Sequence, residues 1–136
     1  MADEKPFHLR GNYAPVSEEL TTFDLPLEGA LPPELSGLYV RNGANPVTGS
    51  SPHWFLGQGM LHGVRLEAGR ARWYRNRYVR TPYFENPGIQ RVSSEGKFDR
   101  VASAANTHVI AHAGKLLALE EGSFPWVVDA ELRTVG

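Results

Sequence analysis

Turn residues interrupt this chain too often for a long helix. Fourteen glycines and ten prolines fall within 136 residues. Between them lie short apolar runs, with turns at roughly 8–12-residue spacing, the pattern of a β-sandwich, barrel or propeller. The clearest is "NTHVIAHAGKLLALEE", where two apolar runs flank "AHAGK" and read as a hairpin. "GVRLEAGRARWYRNRYV" reads as a second, with Val64, Leu66 and then Ala71, Trp73 bracketing a short glycine-containing loop at Glu67–Arg70. "PWVVDAELRTVG" reads as a third, turning near Asp129–Ala130.

The rest divides around these hairpins. Residues 1–36 are expected to be extended, broken by Pro6, Pro15, Pro26 and Pro32–Pro33. Within them "LPPELSG" suits a short helical turn ended by Gly37. Residues 37–136 are then the strands proper. "LYVRNGANP" begins as a strand, and "NGANP" carries turn chemistry. "TPYFENPGIQ" reads as loop, and 97–106 has no pattern of its own. The strand pattern is cut at Gly136 in mid-hairpin, so a piece of a longer β protein is expected.

Composition removes several function classes. Hydrophobic residues are 41% and charged residues 21%, enough apolar matter for a core. The net charge of −1 gives no pull toward nucleic acid or an anionic membrane. There is no cysteine, which excludes disulfides, thiol nucleophiles and Cys-ligated metals. "MADEKPFHLR" lacks the apolar stretch of a signal peptide, and no run is long enough to span a bilayer. A soluble, cytoplasmic protein is the expectation.

The local motifs are mostly structural. His8, His53, His62, His108 and His112 are the histidines. His108 and His112 share a strand, where four residues cover roughly 13 Å, too far to share one ion. His53 and His62 flank a turn in "HWFLGQGMLHG", but no carboxylate stands at a fixed spacing from them. The glycines of that stretch match neither the dinucleotide fingerprint nor the P-loop and read as a tight turn. Six arginines at 65, 70, 72, 75, 77 and 80 interleave with Trp73, Tyr74 and Tyr78. On a strand they fall on both faces, so pairing with acidic residues is favoured over single-stranded nucleic acid. Ser36, Ser51, Ser93, Ser94 and Ser123 sit in no nucleophile elbow.

Glu120–Glu121 ends an apolar strand. If "AG" is the hairpin loop, Thr107 faces Glu120. If "AGK" is the loop, it faces Glu121. Either register gathers Thr107 and both carboxylates at the open end of one hairpin.

Three long stretches, in this order, resemble one family: "LEGALPPELSGLYVRNGANP", "HWFLGQGMLHGVRLEAGRARWYRNRYVRTP" and "ANTHVIAHAGKLLALEEGSFPWVVD". They are similar to the N-terminal part of the carotenoid cleavage oxygenases, which have the lignostilbene dioxygenases as a branch. The resemblance runs from Asn12 to Gly136.

The resemblance implies the N-terminal part of a seven-bladed β-propeller. It implies Fe(II) held on the propeller axis by four histidines. It also implies O₂-dependent cleavage of a conjugated C=C bond, giving aldehydes or ketones from an apolar polyene. The family's first iron ligand lies beyond the stretch matching "DAELRTVG", so none of the five histidines matches a ligand. The chain alone is expected to be inactive and, with open strand edges, prone to aggregate.

Three positions carry over, and a fourth, Glu120, is a departure. Glu121 matches a glutamate that hydrogen-bonds an iron-bound histidine, and Thr107 a threonine beside an open coordination position. Phe55 matches an aromatic residue lining the substrate cavity. Glu120 stands where the stilbene-cleaving branch has a lysine that grips the substrate phenol, which argues for carotenoid or apocarotenoid substrates. Leu56 and Gln58 replace acidic residues usual in the family. Peripheral membrane contact for substrate uptake is a further expectation, and nucleic acid is not expected as a partner. The alternatives are a nonenzymatic β module binding a hydrophobic ligand or partner, and a stilbene-cleaving dioxygenase.

Overall fold

The protein is described by a computed structural model over residues 5–136. Its strands are β1 (Thr21–Phe23), β2 (Gly37–Asn45), β3 (Gln58–Glu67), β4 (Arg70–Tyr78), β5 (His108–His112), β6 (Lys115–Leu119) and β7 (Trp126–Val128). They form two antiparallel sheets, ordered β1-β4-β3-β2 and β5-β6-β7. The all-β reading therefore holds.

All three expected hairpins are present. β3 and β4 join through Ala68–Gly69, with φ of 48° and 72° and Glu67 paired with Arg70. Positive φ at both loop residues matches the right-handed twist of the strands. β5 and β6 join the same way through Ala113–Gly114, with φ of 48° and 74°. The third turn is organised by Asp129, whose Oδ1 accepts from Glu131 N and Arg133 N, both at 2.9 Å. Val128 then bridges to Thr134.

The segment before residue 37 is less extended than its prolines suggest. Phe7–Leu9 and Gly11–Tyr13 form 3₁₀ turns, and Thr21–Phe23 pairs with β4 as an edge strand. Two buried asparagines fasten this segment to the sheet. Asn45 accepts from Val16 N at 2.7 Å and donates to Val16 O at 3.0 Å. Asn76 accepts from Leu20 N at 2.6 Å and donates to Glu18 O at 2.9 Å.

Several local readings need correction. "LPPELSG" is a β-turn closed by Leu35 N to Pro32 O at 3.1 Å, and Gly37 begins a strand. "NGANP" does not turn, because β2 runs through Asn45 and its asparagines bond outward instead of capping a loop. The turn follows at Pro46–Gly49. "TPYFENPGIQ" contains a helical turn, α1 (Pro82–Glu85). Thr81 Oγ1 caps it by accepting from Phe84 N at 3.2 Å, and Pro82 starts it, a cue present in the sequence.

"HWFLGQGMLHG" is only half a turn, since β3 begins at Gln58. Gly59 and Gly63 serve close packing. A Cβ on Gly59 would lie 2.0 Å from Ala105 O, and one on Gly63 would lie 2.9 Å from Leu132 Cδ1. Both approaches come from the side of the second sheet. Leu61 lies between those glycines and packs with Val79, Ala105, Ala118, Val128 and Leu132 into the buried core. This core joins the two sheets, and burial of such apolar surface is the main force holding them together.

Candidate functional site

The site grows from the open end of the β5–β6 hairpin. With Ala113–Gly114 as a two-residue loop, His108 pairs with Leu119, and Thr107 N donates to Leu119 O at 3.0 Å. Thr107 thus stands opposite Glu120, one of the two registers expected. The two neighbouring carboxylates then part. Glu121 turns to Thr107, whose Oγ1 lies 3.3 Å from Glu121 Oε2. Both side chains are exposed, and Thr107 is the partner of Glu121 among the described residues.

Glu120 is held from the other side. Its Oε2 accepts from Arg91 Nη2 at 2.5 Å, Ser123 Oγ at 2.7 Å, Ala104 N at 2.9 Å and Ser103 Oγ at 3.2 Å. Burial alone would raise its pKa. The donors Arg91, Ser123 and Ala104 N together outweigh burial and hold it below the usual carboxylate range. Arg91 reaches Glu120 from between two rings, 5.2 Å from Tyr83 and 5.0 Å from Phe98. Its Nε is buried without a hydrogen-bond partner among the described residues, a cost at this hub.

A cavity of about 600 Å³ opens here. Trp54, Phe55 and Leu56 form an apolar wall; Asn106, Thr107, Glu120 and Glu121 form a polar one. Phe55 is 73% exposed. All four residues singled out from the sequence therefore border one space. Two others were missed. Asn106 touches both walls, and Arg91 lies in a loop whose sequence gives no sign of an ion pair with Glu120.

Away from this cavity, three of the histidines have hydrogen-bond partners within the fold. His8 Nε2 lies 3.1 Å from Ser51 O, His53 Nδ1 accepts from Phe55 N at 3.1 Å, and His108 and His112 are exposed on β5. His62 Nδ1 lies 2.7 Å from Tyr74 Oη. Burial, then the Arg41 charge, lowers the His62 pKa to about 4. Of the six arginines, Arg72 pairs with Glu67, Arg75 with Glu131 and Arg80 with Glu19, while Arg77 donates to Leu20 O and Thr21 Oγ1, so the expected acid pairing is met in part.

Among the described residues no three His, Asp or Glu side chains cluster to hold a metal ion. A family model described as "Retinal pigment epithelial membrane protein" matches residues 13–136. The chain belongs to this family, that of the carotenoid cleavage oxygenases.

Among carotenoid cleavage oxygenases, the chain is 44% identical over 141 residues to one from Mycobacterium tuberculosis, covering 99% of this chain and 28% of that protein. Its fold matches the lignostilbene dioxygenase of Pseudomonas brassicacearum with a TM-score of 0.72 at 31% identity, over 97% of this chain and 30% of that one. It matches a glutamate-to-aspartate variant of Synechocystis apocarotenoid oxygenase with a TM-score of 0.73 at 26% identity, over 90% and 29%. The chain thus spans under a third of these carotenoid cleavage oxygenase relatives, and its two sheets correspond to part of their β-propeller.

Proposed function

We propose that this chain forms one wall of the active-site cavity of an Fe(II)-dependent dioxygenase. The enzyme would cleave a conjugated C=C bond of a carotenoid or apocarotenoid with O₂ to aldehyde or ketone products. The observation that carries the reading is the Thr107–Glu121 contact, which faces the same cavity as Phe55. Its spacing adds support. Thr107 and Glu121 are fourteen residues apart. The solved Synechocystis variants alter a threonine and a glutamate at that same separation, and the tryptophan just before the glutamate. Glu120 takes that tryptophan's place.

The iron, when bound, supplies the chemistry of O₂ activation, and its ligands come from outside these residues. The chain's own groups have simpler tasks. Glu121 presents a carboxylate whose only described partner is one 3.3 Å contact, so it can accept an imidazole N–H and fix that ring's tautomer. Thr107 narrows the space beside it. Phe55 and Trp54 offer apolar faces to a polyene, and such a substrate favours peripheral contact of a cytoplasmic enzyme with a membrane. Arg72, Arg75 and Arg80 pair with acids, and Arg77 donates to Leu20 O and Thr21 Oγ1, which favours structural roles over nucleic-acid binding.

Stilbene cleavage is the second reading, favoured by the match to a lignostilbene dioxygenase. Glu120 weighs against it, since an ionised carboxylate cannot supply a cation to a phenolate.

A graft tests the proposal. Residues 13–136 would replace the matching segment of the Mycobacterium tuberculosis oxygenase. The chimera should hold one iron per chain and cleave an apocarotenoid in an O₂-dependent reaction, with little turnover of a hydroxystilbene. A folded, iron-loaded chimera that cleaves neither would refute the oxygenase reading. One that cleaves only the stilbene would overturn the substrate assignment.

A further inference from the structure

Asn106 is buried, with 9% of its surface exposed, between the two walls of the cavity. Its Nδ2 donates to Phe55 O at 3.0 Å and to Gly57 O at 2.8 Å. Both neighbours are carbonyls, which only accept, so the amide can point one way only. Oδ1 therefore faces Thr107, whose Oγ1 lies 3.3 Å away. Thr107 has a single hydroxyl proton and two acceptors at equal distance, Asn106 Oδ1 and Glu121 Oε2. A proton given to Asn106 leaves Glu121 free to accept from another group.

The surroundings hold Asn106 in place. Asn42 of β2 donates to Ala105 O at 2.7 Å and to His108 O at 3.0 Å, gripping the chain on both sides of it. Gly59 N donates to Ala104 O at 2.7 Å, and the missing Cβ of Gly59 lets Ala105 lie against β3. The turn that carries Phe55 has its own local ties: Leu56 N and Ser51 Oγ to His53 O, both at 3.0 Å, Phe55 N to His53 Nδ1, and the Trp54 ring against Phe7 and Tyr13. The two bonds from Asn106 are its link to the hairpin that carries Thr107.

We propose that Asn106 is a positioning residue that couples the aromatic wall at Phe55 to the hydroxyl of Thr107, one half of its amide serving each. The proposal rests on reading this cavity as the oxygenase's. It assigns separable effects to the two halves. Loss of the Nδ2 donor frees the Phe55 turn and weakens hold on an apolar substrate. Loss of the Oδ1 acceptor sends the Thr107 proton wholly to Glu121 and impairs turnover.

Three variants in the chimera test this. Asn106→Asp removes both N–H donors and keeps an acceptor toward Thr107. Asn106→Leu removes donors and acceptor at similar volume. Thr107→Val removes the hydroxyl and leaves the amide's bonds to the turn. Losing the two bonds to the turn should raise KM for an apocarotenoid about tenfold in both Asn106 variants. Amide exchange at Leu56 should speed up in both and be unchanged in Thr107→Val. The kcat should fall further in Asn106→Leu than in Asn106→Asp, and Asn106→Leu should lower it no further once Thr107→Val is present. Unchanged Leu56 exchange in Asn106→Asp, or additive kcat losses in the double variant, would overturn the proposal. Exchange is read on the protein whether or not it turns over, so an inactive chimera would count against the oxygenase reading and leave the coupling testable.

Discussion

The β3–β4 and β5–β6 hairpins close with the same dipeptide, Ala68–Gly69 and Ala113–Gly114, both in the same left-handed pair of conformations. Their strands live in different surroundings. β3 lies inside its sheet, paired on both edges, with Met60 and Leu61 fully buried. β5 is an edge strand of five residues, four of them exposed. The first hairpin is held by its own packing. The second has its end fixed from outside, by Asn42 and Gly59 from the first sheet and by Arg91 from the loop between the sheets. The candidate site sits on the second. Where the strand ladder stops, distant side chains decide where Thr107, Glu120 and Glu121 point.

The harshest way to break that arrangement is at Gly59. A Cβ there would lie 2.0 Å from Ala105 O and 2.6 Å from Ala105 C, backbone atoms that cannot rotate away. Gly59→Ala should cost about 3 kcal/mol or more, as overpacking against rigid neighbours does. Gly63→Ala is the control. Its nearest neighbour is the tip of the Leu132 side chain at 2.9 Å, which can shift, so a loss of about 1 kcal/mol is expected. Urea midpoints of the chimera would compare them. Equal losses would mean that the 104–106 segment is not pressed on β3.

Arg91→Met attacks the other tie and keeps a side chain between Tyr83 and Phe98. It strips Glu120 of its charged partner while burial remains. A loss of about 2 kcal/mol at pH 7 is expected, below the full value for a buried pair because both side chains retain some exposure. The sign with pH follows from the lowered pKa of Glu120. The pair's contribution is present above the ordinary value of 4.5 and is lost as pH falls through the lower folded value. The gap between parent and Arg91→Met should therefore close in acid. A gap that is constant with pH would show that packing, not charge, was removed.

Much of this was legible because a two-residue turn and alternating strands are local signals. The β5–β6 hairpin left two registers open, and either one brought Thr107 to the carboxylates; in β3–β4 the Ala-Gly turn was legible but the shift that pairs Arg65 with Trp73 was not. The opposite directions taken by Glu120 and Glu121 were not legible. They depend on Arg91 and Ser103, which reach Glu120 across 29 and 17 positions of sequence. The misread "NGANP" has the same cause. Asn42 and Asn45 look like turn formers, but their side chains bond to segments 63 and 29 positions away. The glycines of "GQGMLHG" were read as turn residues because glycine in sequence does not say whether it serves positive φ or close approach.

The first hairpin has its own sensitive group, on the face turned away from the core. His62 is half-buried beside Arg41 and Tyr74, with a pKa lowered from 6.5 to about 4. Above pH 6.5 it is neutral both folded and unfolded, and contributes no pH dependence. As pH falls from 6.5 to about 4 the unfolded chain takes up a proton that the folded chain refuses, so stability declines. The expected loss is about 2 kcal/mol after allowance for partial exposure. His62→Gln keeps a partner for Tyr74 and should flatten that part of the pH profile, leaving the acid limb due to Glu120. An unaltered profile would show that His62 titrates normally.

The mildest test returns to the two turns. Gly69→Ala and Gly114→Ala each force alanine into positive φ, at a cost of about 1 kcal/mol. A Cβ at Gly114 meets nothing within 4 Å, whereas one at Gly69 lies 3.1 Å from Leu31 O. The Gly69 variant should therefore lose slightly more, because the segment before β2 crosses over its turn. Kinetics should rank them the other way. Gly114 closes the hairpin whose far end holds Thr107 and Glu121, so a register slip there reaches the site, while one at Gly69 is absorbed by pairing on both edges of β3. If Gly69→Ala impaired turnover more than Gly114→Ala, the site would depend on the first sheet's packing more than on the second hairpin's register.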